Sequence, residues 1–135
     1  MELLYEDKYI KINLDKAHSC LEYSWLQFTP AEEYKKLLDK VYDYTIQYGI
    51  TKLSTDVKDM RVIPQDAQEW TNTDWFPRMM QQGVKHYAIS RVKPGGASMS
   101  IKAMEQAVKE QMAMAGVTTE YFDDIESARK WIESL

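Results

Sequence analysis

The sequence has one cysteine, Cys20, two histidines, His18 and His86, and only five glycines and four prolines. A single thiol cannot close an internal disulfide, and one cysteine with two histidines cannot assemble a structural zinc cluster. No apolar run is long enough to cross a bilayer, in keeping with a mean hydropathy of -0.53. An excess of basic residues is also missing. Lys and Arg number 17 against 21 Asp and Glu, a net charge of -4, so no electrostatic footprint for a phosphate backbone exists and no nucleic-acid partner is expected. The opening MELLYEDKYIKI carries acidic residues and a period-2 pattern instead of a basic region followed by an apolar core. It does not read as a signal peptide, and a cytoplasmic protein is expected. Nothing in the composition calls for a cofactor or a metal.

What is present suits one globular domain. A length of 135 residues with 44% hydrophobic and 28% charged side chains can bury a core without staples. Tyr9–Leu14 sets Ile10, Ile12 and Leu14 against Lys11 and Asn13, the period of a half-buried strand, and Cys20–Phe28 places Leu21, Tyr23 and Trp25 on one face. The polar link between them suits a hairpin. Thr29, Pro30 and Glu32 read as a helix start with Thr29 as cap, and Tyr34, Leu37, Leu38, Val41, Thr45 and Tyr48 form one stripe that Gly49 ends. Lys52–Val57 follows as a strand.

Residues 64–82 are helical in pattern, but Pro77 cannot sit deep in a regular helix, so two short helices are expected, the second capped by Asp74 and closed by Gly83. Lys85–Val92 is a strand. Ser98 or Ser100 can cap a helix bearing Ile101, Met104, Val108, Met112 and Ala115, Val117–Phe122 is a strand, and Asp123 with Glu126 opens a last helix carrying Ile125, Ala128, Ile132 and Leu135. The order predicts an α/β fold: a single mixed sheet of about five strands, an N-terminal antiparallel hairpin followed by parallel strands, covered by four to five helices.

That order, with the closing TTEYFDDIESARKWIESL, the strand and acidic loop LSTDVKDM, the QEW and WFP segments and the strand HYAIS, resembles the SpoIIAA-like branch of STAS domains, also compared with the lipid-binding Sec14 fold. The likeness spans nearly the whole chain. It implies a small mixed-sheet domain of a family that often self-associates and whose ligands and partners are mostly unknown; a homodimer is the expected assembly here, and a protein partner or a small anionic or lipidic ligand the expected binding partner. STAS anti-sigma antagonists carry a phosphorylated serine in an Asp-Ser-Ser/Thr-Gly motif. Here Asp56-Val57-Lys58-Asp59 stands in its place, without hydroxyl or glycine, so that switch is not expected.

In open α/β sheets ligands gather beyond the carboxyl ends of parallel strands. Two loops qualify: one with Asp56, Asp59 and Arg61, the other with Arg91, Lys93, Gly95 and Gly96, then Ser98 and Ser100 at a helix start. Cations and free N–H groups there would suit a phosphate or carboxylate, although a Pro-Gly-Gly turn is commonly punctuation and surface arginines commonly pair with nearby aspartates. A triad of Ser54 or Ser90 with His86 and Asp56 fails on geometry, since His86 begins its strand and Asp56 ends a parallel one. Asp123 and Asp124 read as helix caps. Trp70, Trp75, Phe76, Met79 and Met80 offer more apolar surface than a short helix needs, and are read as an interface or a lid, against the plainer reading that they pack on the sheet. The first functional reading is a non-catalytic binding module; the other is a small enzyme or carrier for an anionic or lipidic molecule.

Overall fold

A computed structural model describes residues 1–60, 62–93 and 99–135, with only the backbone of 99–101. The alternating segments form one mixed sheet whose spatial order is the chain order. β1 (Glu2–Glu6), β2 (Ile10–Asp15) and β3 (Cys20–Trp25) are antiparallel neighbours, and β4 (Lys52–Asp56), β5 (His86–Ser90) and β6 (Thr118–Phe122) extend the sheet in parallel from β3. The sheet therefore has six strands, one more than the pattern suggested. The additional strand is β1, an edge strand with a bulge between Leu3 and Tyr5 and no buried residue, so its periodicity carries little burial signal.

α1 (Ala31–Tyr48) follows β3 and buries Tyr34, Leu37, Leu38, Val41 and Thr45. It begins one residue later than the capping pattern implied. Pro30 is the cap position and makes no side-chain bond, while the Thr29 hydroxyl donates to the Gln27 carbonyl instead. Gly49 ends it at φ +62°, the left-handed geometry that glycine adopts without steric cost.

Between β4 and β5, α2 (Gln65–Trp70) and α3 (Phe76–Gln81) are not separate helices. A π turn, Thr71–Trp75, joins them into one run. The expected break at Pro77 is absent because the ladder changes from i−4 to i−5 spacing just before it, so the N–H that proline lacks falls where the register shifts. Asp74 consequently has no helix start to cap and pairs with Arg78 at 3.0 Å.

α4 (Met99–Met114) leads to β6, and α5 (Ile125–Ser134) closes the chain. Its cap is Asp124, whose carboxylate accepts the Ser127 N–H at 2.8 Å, one residue beyond the expected Asp123. Parallel crossovers of the usual hand that advance in one direction all fall on one face of a sheet. α1, the α2–α3 run and α4 occupy that face, and α5 alone packs on the other, where Ala128 and Ile132 meet Cys20 and Ala88.

Candidate functional site

The two sheet faces differ in the size of their side chains. On the α5 side small residues, Ser54, Ala88 and Ser90, are buried. On the other side register aligns Tyr23, Thr55, Ile89 and Tyr121 in one row across β3, β4, β5 and β6. This row floors a cleft of about 1290 Å³ whose walls come from α1, the π turn and α4. Ligand sites typically measure roughly 300–1,000 Å³, so the space is large enough for a sizeable organic molecule.

Aromatic contacts hold the helices off this floor. Trp25 stacks on Tyr34 of α1 with centroids 4.7 Å apart, and Phe76 meets Tyr87 edge-on at 5.0 Å. Trp75, with 0% exposure, donates its indole N–H to the Leu38 carbonyl at 2.7 Å and so locks the π turn to α1. The widened turn also brings Thr71 and Asn72 into the wall. Such turns are frequent at functional sites.

The cleft opens where β3, β4 and β5 end, through Leu26, Val57–Asp59 and Arg91–Val92. Among the described residues its charged lining consists of Lys58, Asp59, Arg91 and Glu105, two of each sign. Arg91 is fully engaged. Its Nε and Nη2 donate to both Glu105 carboxylate oxygens, Nη1 donates to Asp123 at 2.6 Å, and its guanidinium lies 5.5 Å from the Tyr121 ring centroid. Hydrogen bonding to Glu105, then to Asp123, holds its pKa above the ordinary arginine value. Lys58 lies 4.0 Å from Asp56.

The inner end is polar but uncharged. The Tyr23 and Tyr87 hydroxyls are 3.5 Å apart, and the buried Thr55 hydroxyl, close to Tyr23, makes no hydrogen bond of standard geometry. Burial raises the pKa of every phenol in the lining, Tyr34 and Tyr121 to about 12 and Tyr23 and Tyr87 likewise upward. All are neutral O–H groups near neutral pH, with no phenolate to act as base or nucleophile.

The expected anion site divides. Asp59 and Arg91 reach the cleft, but Arg91 is neutralised by Glu105 and Asp123 and is not available to a ligand anion. Asp56 turns to its own loop and accepts the Lys58 backbone N–H at 3.0 Å, and Lys93 is exposed. Arg61, Gly95, Gly96 and Ser98, with the Ser100 side chain, lie outside the described residues. The aromatic segment does not form an exposed patch: Trp75, Phe76 and Met79 are 0%, 7% and 0% exposed, and Trp70 and Met80 are half-buried against the core. The π turn rotates Trp75 inward, so this segment is a wall of the cleft. The triad is absent too. Register pairs Asp56 with Ser90 and His86 with Lys52, at opposite ends of β4 and β5, and burial, with Lys52 and Lys85 nearby, lowers the His86 pKa.

Comparison with protein-family models, with curated proteins and with solved structures returned no match. The site therefore rests on its own geometry. Sequence reasoning passed over Thr55, Tyr87, Tyr121, Asn72 and Glu105. The available signal was that large and hydroxyl-bearing residues share one strand face at Tyr23, Thr55, Tyr87 and Tyr121. No described group of three His, Cys, Asp or Glu residues could hold a metal, and no described helix is long and apolar enough to cross a membrane.

Proposed function

We propose that this domain is a non-catalytic small-molecule-binding module whose ligand occupies the aromatic cleft and is largely apolar. The observation that carries this reading is the cleft itself: about 1290 Å³, lined mainly by aromatic and aliphatic side chains, with a few convergent polar groups at one end. Binding is favoured over turnover because, in the described lining, Lys58, Arg91 and Glu105 are ion-paired and the phenols are neutral, which leaves Asp59 at the mouth as the one carboxylate there without a described partner. A mixed sheet with a terminal helix alone on one face supports the companion proposal that the chain is a SpoIIAA-like domain.

The test is native mass spectrometry of protein purified from its own host, beside an Ile89→Trp variant that fills the middle of the floor. A retained mass in the unaltered protein, missing from the variant at unchanged secondary structure, is expected. Identical adduct-free spectra, with no thermal shift across a panel of apolar compounds, would overturn the reading.

A second reading, self-association as a homodimer, is favoured by the mouth. There Leu26, Val92 and Met104 are 38%, 68% and 61% exposed although all three line the cleft, and a second copy could cover them. Sedimentation velocity of the parent protein and Met104→Glu distinguishes the two. A dimer that dissociates in the variant supports self-association, and a monomer in both removes it.

A further inference from the structure

The inner end of the cleft contains more hydrogen-bonding capacity than the protein uses. Tyr23, Thr55 and Tyr87 each carry one O–H donor and two acceptor lone pairs. Tyr23 and Tyr87 share a single 3.5 Å contact, and Thr55 Oγ1 is buried without a hydrogen bond of standard geometry, its hydroxyl only close enough to Tyr23 to moderate that phenol's pKa. Thr55 is 3% exposed and Tyr23 1%, so their hydroxyls have little bulk water to turn to. Buried polar groups are normally satisfied, and an orphan that lines a cavity is a place for a ligand atom to complete the set.

Charge narrows the chemistry. The cations of the described lining stand at the mouth and are answered there, Arg91 by Glu105 and Asp123 and Lys58 by Asp56. Among the described residues no cation faces the hydroxyl cluster, and an unpaired ion taken to that depth would lose its hydration without compensation. A neutral oxygen loses far less and can both accept from and donate to the three hydroxyls.

We infer that the cleft selects an uncharged, largely apolar molecule bearing one hydroxyl or carbonyl group, which enters first and is bound by Thr55, Tyr87 and Tyr23 while the apolar body lies along Ile89 and Tyr121. This inference rests on the cleft being a ligand site. Burial keeps the two deep phenols protonated, so the recognition persists across the neutral and mildly alkaline range.

Three probes with one ring system test it: naphthalene, 2-naphthol and 2-naphthoate, titrated at pH 7 by ligand-observed NMR against the parent protein and against Thr55→Val/Tyr87→Phe. The parent should bind 2-naphthol about three- to tenfold more tightly than naphthalene, the worth of one neutral hydrogen bond. It should bind 2-naphthoate more weakly than 2-naphthol by on the order of a hundredfold. The double variant, left with the Tyr23 hydroxyl alone and without the Tyr87 contact that orients it, should prefer 2-naphthol to naphthalene by no more than about twofold, and its unchanged affinity for naphthalene shows that the cleft has kept its shape. Equal binding of all probes, tightest binding of 2-naphthoate, or a preference for 2-naphthol that survives undiminished in the variant would overturn the inference and leave the cleft as a ligand site. Failure of every probe to bind the parent would overturn both.

Discussion

Arg129→Met removes the cation that holds α5 to the sheet. Arg129 forms a two-pronged pair with Glu22 of β3, Nε to Oε1 at 2.8 Å and Nη2 to Oε2 at 3.0 Å, across 107 residues of sequence. The Glu22 side chain is 3% exposed and that of Arg129 37%. The two halves of the pair are thus unequal. Deleting one partner of a fully buried pair costs about 3–5 kcal/mol, because the other charge is left without solvent or counter-ion. Arg129 is partly hydrated, so the lower end applies, about 3 kcal/mol or roughly 12 °C of melting temperature for a chain of this size. Glu22→Gln should cost only about 1 kcal/mol, because Arg129 can turn to water and to Glu126, 2.8 Å away. The double variant should lose about 2 kcal/mol, less than Arg129→Met alone, since its orphan is a neutral amide. Urea unfolding followed by tryptophan fluorescence measures all three. A loss below about 1 kcal/mol in Arg129→Met, with no recovery on adding Glu22→Gln, would mean that Glu22 is solvated and that α5 is held by apolar contacts alone.

Two further outcomes test the described packing. The Asp7 carboxylate accepts the Tyr9 and Ile10 backbone N–H groups at 2.7 and 2.9 Å and the Tyr5 hydroxyl at 2.8 Å. Burial pulls its pKa upward, but these donors and Lys40 outweigh it and leave the value below the ordinary 3.8. A carboxyl depressed by folding stabilises fully above its unfolded value and loses that contribution as pH falls through the folded one. The deficit of Asp7→Ala, about 1 kcal/mol, should therefore be constant from pH 7 to 5 and shrink below pH 4; a deficit unchanged at pH 3 would contradict the turn. Cys20 lies under α5, where burial first and then Asp15 and Glu22 push its thiol up to about 12. At pH 8 a disulfide reagent should label native protein at under about 1% of the rate in urea, because only thiolate reacts and only opening exposes it. Prompt labelling would mean that α5 does not cover β3.

The strands from β2 onward, the α1 stripe and the parallel order could be read in the sequence because each is a local signal: alternation, 3.6-residue spacing, or a connection long enough to cross over. The cleft was not readable in that way. Alternation reveals that Tyr23, Thr55, Ile89 and Tyr121 each face one side of their strands, but only sheet register, set by packing over 98 residues of chain, brings them into one row. The choice between the two readings of Trp75, exposed patch or packing against the domain, could not be made beforehand because a π turn breaks the 3.6-residue phase on which a helical face is drawn. The partners of Arg91 were not legible, since they lie 14 and 32 residues away, one on α4 and one in the turn before α5, and not among the aspartates of the neighbouring loop. In each case a long-range geometry decides what the residue does, and no local pattern encodes it.

The unequal faces also explain why, among the described residues, the large cleft lies on the side away from α5. Small residues at Ser54, Ala88, Ser90 and Ala128 let α5 approach the sheet closely and leave only a slight gap. On the opposite face Trp25, Tyr34 and Trp75 fill the space beneath α1 and the π turn, and their bulk props those helices away from the β5 and β6 side of the floor. α4 does not close the remainder. It packs against β6 and is anchored there by two ion pairs, Arg91 to Glu105 and Lys109 to Glu120 at 3.0 Å. Its apolar Met104 is left exposed and Val108 and Met112 only half-covered. Closing the gap by moving α4 inward would strip Glu105 from Arg91, a partly buried pair, and orphaned charges are costly. Filling it with a ligand buries the same apolar surface and leaves those pairs intact. A cleft held open by ion pairs on one side and aromatic props on the other is thus a preformed cavity, and on the proposed reading a molecule that fits it should raise the melting temperature in proportion to the logarithm of its concentration over its dissociation constant.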